Sequence, residues 1–148
     1  MLIRDILNLK GGTIYSIEPS GRLTGAVDLM ARHDVGSLVV LDAGRMVGML
    51  TFREVLQALR SGGGSLAETE AREVMVADPV CGSPDQTIDD LRELMTRHHT
   101  RYLPVQDGDQ LLGVVSFHDV AQAMIKETSM ENRLLKRYIE SQPSEQNP

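Results

Sequence analysis

Residues 36–55 read GSLVVLDAGRMVGMLTFREV, and residues 101–120 read RYLPVQDGDQLLGVVSFHDV, 65 positions further along the chain. At that offset residues 13–59 match residues 78–124 without a gap, and 13 of the 47 aligned pairs are identical. A period of this length corresponds to one supersecondary unit. Two such units are expected to pack about a pseudo-twofold axis with equivalent clefts between them, and function is expected in those clefts.

Each copy has the pattern of a helix, two strands and a second helix, after a short first strand. The elements predicted in the first copy are a helix over Leu23–Met30, strands over Ser37–Leu41 and Met46–Leu50, and a helix over Phe52–Arg60. Those predicted in the second copy are a helix capped by Thr87 with Asp90, strands over Tyr102–Val105 and Leu111–Val115, and a helix from Phe117 to about Lys126. The unit is therefore β-α-β-β-α and the fold class is α+β.

The sequence divides into six segments. They are a lead-in over residues 1–12 with a short helix at Leu2–Leu9, a first unit over 13–60, a Gly/Ser-rich linker over 61–74, a second unit over 75–126, a C-terminal amphipathic helix over 127–141 and a disordered tail over 142–148. Thr128 and Glu131 spell a capping box that predicts the start of the C-terminal helix. An apolar stripe, Met130, Leu134, Leu135, Tyr138 and Ile139, follows on one face of that helix.

Composition excludes several classes of protein. The chain has 148 residues, of which 41% are hydrophobic and 24% are charged, as in an ordinary soluble domain. The longest apolar run, Leu38–Leu41, is far too short to span a bilayer, and Arg4 and Asp5 argue against a signal peptide. A net charge of −6 disfavours a nucleic-acid polymer as partner. The single Cys81 excludes an intrachain disulfide and suits a reducing, cytoplasmic location.

The tandem units carry specific sequence signatures. These are the lead-in PDQTI at residues 84–88, the run TRYLPV at 100–105, and the pattern GVVSFHD at 113–119, which returns as GMLTFRE at 48–54. Over roughly residues 1–126 the chain resembles a pair of CBS (cystathionine β-synthase) domains. The resemblance implies a flattened module that dimerises into a disc and binds adenosyl nucleotides in the clefts between its two units. The chain is expected to be a stand-alone module of this kind.

The residues of the GVVSFHD pattern have a physical interpretation of their own. A Ser or Thr that opens a helix directly after a strand leaves backbone N–H groups free for an anion or polar ligand. An acid three residues later can accept hydrogen bonds from a ribose diol, or it can fold back as a capping box. Thr51 with Glu54 is the better capping box because Glu has the longer reach. Ser116 with Asp119 keeps the family pattern, and Asp119 is the favoured diol acceptor.

The resemblance also implies which residues line each cleft. The main nucleotide cleft is expected to contain Tyr15, Gly36, Ser37, Ser116 and Asp119, with Arg53 for the phosphate. The second cleft is expected to contain Thr51, Glu54, Val80, Arg101, Tyr102, Pro104 and His118. Gly36 stands where its repeat partner is Arg101, and Val39 where its partner is Pro104, so the clefts should differ in shape and charge. Arg53 and Arg101 have the alternative interpretation of solvated surface charges.

The leading functional hypothesis is a regulatory module that binds AMP, ADP, ATP or NAD(H), as an energy sensor would, and signals to an unidentified partner protein. The alternative is an adaptor with non-functional clefts that docks a partner through its C-terminal helix. No catalytic residues, catalytic cofactor or metal site are predicted, and adjacent His98 and His99 do not form a ligand pair on one helix face. A homodimer is expected, formed by the helices carrying Leu23–Met30 and Leu91–Met95 or by the final helix.

Overall fold

The structure, a computed structural model, describes residues 1–61 and 65–141. Residues 62–64 of the predicted linker and the predicted tail at 142–148 lie outside these ranges. In chain order the elements are α1 (Ile3–Lys10), β1 (Ser16–Ile17), α2 (Leu23–His33), β2 (Ser37–Asp42), β3 (Arg45–Thr51), α3 (Phe52–Ser61), α4 (Ala71–Val74), β4 (Val76–Ala77), α5 (Ile88–Arg97), β5 (Tyr102–Asp107), β6 (Gln110–Ser116) and α6 (Phe117–Ser141). No helix within these ranges is both long and apolar enough to cross a membrane.

The two units repeat the same strand register. In the first unit β2 and β3 pair antiparallel, with Leu38 opposite Leu50, and in the second β5 and β6 pair with Leu103 opposite Val115. Both hairpins contain a register shift at the equivalent place, after Val40 and after Val105. Strand β1 joins β2 in parallel, whereas the second unit has only a parallel bridge at that position. The α+β fold of two matching units is therefore confirmed.

Helices α2 and α5 bury their apolar faces inside the chain. Leu23 and Met30 lie in the core of the first unit, and Leu91 and Met95 lie in the core of the second. The predicted N-cap of α5 is confirmed, because the Thr87 hydroxyl accepts the Asp90 N–H at 3.1 Å. These buried residues are covered within the chain, whereas Val27 of α2 is exposed; the prediction that the two helices supply a dimer interface stays a prediction.

The segment that precedes each unit packs on the other unit. We call residues 2–10 and 70–77 the leader segments. The Ile3 N–H donates to the carbonyl of Gln86 at 2.9 Å, and the Ala71 N–H donates to the carbonyl of Gly21 at 2.7 Å. Gly21 and Gln86 are repeat equivalents. The first leader thus bonds to the second unit at the same position at which the second leader bonds to the first unit.

The side chains of the leaders complete the two cores. The core of the second unit includes Ile3, Ile6 and Leu7 from α1, and the core of the first unit includes Ala71 from α4. Strand β4 also extends the sheet of the first unit through antiparallel pairing with β3. The C-terminal part of the predicted 61–74 linker is consequently an ordered part of the fold, in which Ala71 is buried.

Helix α6 is continuous over 25 residues. The prediction of a separate helix beginning at Thr128 is wrong, because no Gly or Pro interrupts residues 117–141 and the Thr128–Glu131 pair lies in the helix interior. The five side chains of the apolar stripe are 53–64% exposed. The stripe is therefore not used in packing within the described chain.

Candidate functional site

Two clefts lie between the units, and each is built on a strand that runs directly into a helix. The Ser116 cleft, of about 480 Å³, forms where β6 meets α6. The Thr51 cleft, of about 650 Å³, forms where β3 meets α3. Each junction is fixed by a backbone hydrogen bond at the first helical residue, from Phe117 N–H to the carbonyl of Arg101 at 2.8 Å and from Phe52 N–H to the carbonyl of Gly36 at 3.3 Å.

Asp119 is an acidic residue that lines the Ser116 cleft. Its Oδ2 atom accepts the Ser116 N–H at 2.8 Å, and its own N–H donates to Ser116 Oγ at 3.1 Å. The same Oδ2 accepts the Lys10 ammonium at 2.6 Å, and Lys10 also donates to the carbonyl of Val114 at 2.8 Å. No hydrogen bond from the described residues reaches Oδ1 of Asp119. One carboxylate oxygen is therefore left to accept a bond from a ligand.

The charge state of Asp119 follows from its surroundings. Burial by itself would raise the pKa of the carboxyl group. Hydrogen bonds from Lys10 and Ser116, together with the positive charge of Lys10, outweigh burial and hold the pKa of Asp119 below its usual value. At neutral pH the group is an ionised, acceptor-only carboxylate, which is the form that binds hydroxyl donors.

Glu54 in the Thr51 cleft differs from Asp119 in its availability. It is only 6% exposed. Its Oε1 atom accepts both the N–H and the hydroxyl of Thr51 at 3.0 Å, and the hydroxyl lies 3.1 Å from Oε2. The N–H and hydroxyl of Thr51 thus both donate to this carboxylate, which is one half of a capping box. The reciprocal bond, from the N–H of the acid to the hydroxyl, is present at Ser116 and Asp119 but not at Thr51 and Glu54.

The structure brings most of the predicted residues together. Those lining the Ser116 cleft are Tyr15, Gly36, Ser37, Ser116 and Asp119, and those lining the Thr51 cleft are Thr51, Glu54, Val80, Arg101 and Tyr102. Pro104 is buried in β5 and lines neither cleft. Arg101 and Tyr102 line both clefts, because they lie between the two units.

Two predicted residues exchange places. Arg53 was expected in the Ser116 cleft and lines the Thr51 cleft, whereas His118 was expected in the Thr51 cleft and lines the Ser116 cleft. They are repeat equivalents, each two residues after the Thr or Ser that ends the strand. The first turn of each helix lines the cleft that is built on its own strand-to-helix junction. Neither side chain therefore crosses the pseudo-twofold axis into the other cleft.

The contrast between Gly36 and Arg101 has a steric cause. A Cβ atom at residue 36 would lie 1.9 Å from the hydroxyl of Tyr102 and 3.0 Å from the ring of Phe52. Only a glycine lets the Tyr102 side chain approach the first unit so closely. The Tyr15 ring, which also lines this cleft, stacks on His33 with centroids 4.4 Å apart. Both tyrosines are therefore held by packing at the edges of the Ser116 cleft.

Lys10 is the site residue that sequence reasoning missed. It reaches Asp119 because its leader segment packs on the second unit rather than on its own. The position that matches Lys10, aligned through Ile3 and Ala71, is Asp78, directly after the second leader, so an acid stands there in place of a lysine. A signal was present in the lone lysine that ends the predicted lead-in helix, but no spacing in the sequence connects it with Asp119.

The described residues contain no cluster of three His, Cys, Asp or Glu side chains placed to hold a metal ion. His98 and His99 both line the Thr51 cleft. Cys81 is partly buried, and burial raises the pKa of its thiol. A raised pKa disfavours the thiolate form at neutral pH.

Comparison with known proteins agrees with this architecture. The sequence model of the family described as CBS domain matches the chain twice, at residues 12–61 and 71–126. The CBS domain-containing protein YhcV of Bacillus subtilis is 35% identical over 109 residues, which are 73% of this chain and 76% of that protein.

Solved structures show the same arrangement. A putative signal-transduction protein with CBS domains from Burkholderia ambifaria superposes with a TM-score of 0.81 and 31% identity, over 85% of this chain and 95% of that one. The CBS domain pair of protein MJ0100, solved in complex with 5′-methylthioadenosine and S-adenosyl-L-methionine, superposes with a TM-score of 0.74 over 86% of this chain and 98% of that one. At 19% identity, this second likeness concerns the fold.

Proposed function

The chain belongs to the CBS domain family, and on that premise we propose that it is a regulatory module that binds an adenosyl nucleotide in the Ser116 cleft. The observation that carries the proposal is the Asp119 carboxylate. It is ionised, its side chain is 16% exposed, and its Oδ1 atom has no hydrogen-bond partner among the described residues. A ribose diol offers the two hydroxyl donors that such a group accepts.

The remaining lining of the Ser116 cleft suits the other parts of a nucleotide. Its volume of about 480 Å³ lies within the range of small-molecule sites. Ile14, Val35 and Val114 supply apolar contacts for a base. Arg101 and His118 line the same cleft, where they can face a phosphate, and the start of α6 adds the positive end of a helix dipole.

We propose the Thr51 cleft as a weaker, secondary nucleotide site. It is larger, and Arg53 and Arg101 make it suitable for an anion. The Glu54 carboxylate, however, is only 6% exposed and already accepts the N–H and hydroxyl of Thr51, so a ribose hydroxyl has little access to it. We therefore expect weaker binding at this cleft.

Signalling is proposed to pass through a homodimer and from it to a partner protein, in a cytoplasmic setting. The exposed apolar stripe of α6 and the exposed Phe52 and Leu56 of α3 are surfaces that such contacts would bury. The same stripe supports the second candidate function, an adaptor that docks a partner through α6. A protein of that kind would need no nucleotide. We propose no enzymatic activity.

Two measurements test the proposal. The first is mass spectrometry of any small molecule released from the natively purified protein. The second is calorimetry with AMP, ADP, ATP, NADH and S-adenosyl-L-methionine, which determines affinity and the number of sites. We expect saturable binding of at least one of these ligands, with one site stronger than the other. Absence of binding by all five, with a folded protein and no co-purified nucleotide, would favour the adaptor.

A further inference from the structure

Lys10 occupies one of the two oxygens of the carboxylate that the proposed function assigns to the ribose. Its ammonium lies 2.6 Å from Asp119 Oδ2 and 2.8 Å from the carbonyl of Val114. The Lys10 side chain is 35% exposed and lines the Ser116 cleft. A ligand that takes both oxygens of Asp119 must therefore displace Lys10, and the ammonium then needs a new partner.

The part of α1 that is anchored by packing is residues 3–7, where Ile3, Ile6 and Leu7 are buried in the core of the second unit. The start of α1 is bonded to the second unit through the backbone of Ile3 and through an ion pair between Arg4 and Asp85. The end of α1 runs into Gly11, with φ of +90°, and Gly12, and around both glycines the space for a Cβ atom is open. Movement of the Lys10 side chain requires no change in the anchored half of the helix.

Lys10 borders two spaces, the Ser116 cleft itself, in which a displaced ammonium stays beside the ligand, and a second groove. A groove of about 270 Å³ between α1 and α6 shares Lys10 and Asp119 with the Ser116 cleft. The Lys10–Asp119 pair is thus a wall between the two spaces. Lys126 lines the groove but not the cleft, and within the described chain it makes no hydrogen bond or ion pair with Asp119.

We infer that Lys10 makes the Ser116 cleft selective for anionic ligands, because it competes for Asp119 when the cleft is empty and pairs with the ligand's phosphate once it has been displaced. A neutral nucleoside breaks the ion pair and leaves the ammonium without an anion, which is unfavourable in a partly desolvated site. A nucleotide brings its own anion. The inference rests on the proposed function and adds a specificity-determining residue to it.

The test compares adenosine with AMP by calorimetry, at one pH and one salt concentration, on the wild type and on Lys10→Met. We expect the wild type to prefer AMP by on the order of tenfold, the scale of one charge-assisted hydrogen bond. In Lys10→Met the competitor is gone, so adenosine should bind several-fold more tightly and the preference for AMP should shrink markedly. Lys126→Met is the matched control, because it removes the same charge beside the same groove, and it should keep the wild-type preference.

The possible outcomes separate the inference from the proposed function. An unchanged ratio of AMP to adenosine affinity in Lys10→Met overturns the role of Lys10 and leaves the nucleotide site standing. Equal changes in Lys10→Met and Lys126→Met mean that only overall charge matters, which also overturns it. Failure of both ligands to bind any variant rejects the proposed function and the inference with it. Lys10→Gln, which retains a polar side chain, gives the same comparison if the methionine variant does not fold.

Discussion

Replacing Asp119 with Ala removes the group on which the nucleotide site depends. The lost hydrogen bonds between a carboxylate and the ribose hydroxyls are worth about 1.5–3 kcal/mol. Part of this loss is offset, since the ligand no longer has to break the partly exposed Lys10–Asp119 ion pair, which is worth up to about 1 kcal/mol. We therefore expect AMP to bind on the order of tenfold more weakly to the variant.

Calorimetry with AMP is the direct assay, and Glu54→Ala is the matched control. Both variants delete the acid of a capping box at a strand-to-helix junction, so both should lose a similar amount of stability, about 0.5–2 kcal/mol. Only Asp119→Ala should weaken the stronger AMP site. Unchanged AMP affinity in a folded Asp119→Ala protein, or an equal loss in Glu54→Ala, would refute the assignment of Asp119 as the diol acceptor.

Three further predictions concern stability and assembly. The folded-state pKa of Asp119 lies below the unfolded value near 3.8, so its ionised form stabilises the fold above about pH 4. That contribution is lost as the pH falls further. Urea unfolding should therefore show a smaller stability difference between wild type and Asp119→Asn at pH 3 than at pH 7. Ile3→Ala should lower the free energy of unfolding by about 2–5 kcal/mol, measured by thermal or urea unfolding, because Ile3 is fully buried in the core of the second unit. Leu9→Ala, at a 64% exposed position of the same helix, should change it by about 0.5 kcal/mol or less. Truncation before Ser129 should weaken a homodimer in sedimentation at micromolar concentration and leave AMP binding intact; a full-length monomer would contradict the dimer, and an unaffected dimer would assign the stripe to another partner.

The parts of the fold that depend on local pattern could be predicted from the sequence. Strand alternation and the polar turn predict the hairpin that pairs Asp42 with Arg45, and the 65-residue offset transfers that hairpin to Asp107 and Gln110. The register shift that places Leu38 opposite Leu50 has no counterpart in the sequence pattern. The N-cap at Thr87 was recognisable because its hydrogen bonds join residues three apart. Thr128 and Glu131 have the same spacing but lie inside an uninterrupted helix. The spacing of a capping box is therefore not sufficient to predict where a helix begins.

The parts that depend on choices between distant segments could not be predicted in this way. Nothing in the residues near Ile3 says whether α1 packs on the first unit or the second, and the position of Lys10 follows from that choice. The exchange of Arg53 and His118 has a similar origin. Their position in the repeat was correct, but which cleft the first turn of a helix faces depends on how the two units are oriented about their axis.

The crossed packing of the leader segments bears on what an isolated half of this chain could do. A fragment with a single unit and its own leader would lack the leader that fills its core, and it would carry one that fits a different unit. The two different halves could each supply the leader that fills the core of the other. The tandem chain thus has the geometry of a domain-swapped pair whose halves are covalently joined, and the two pieces left by cleavage between the units are expected to reassociate with each other rather than fold alone.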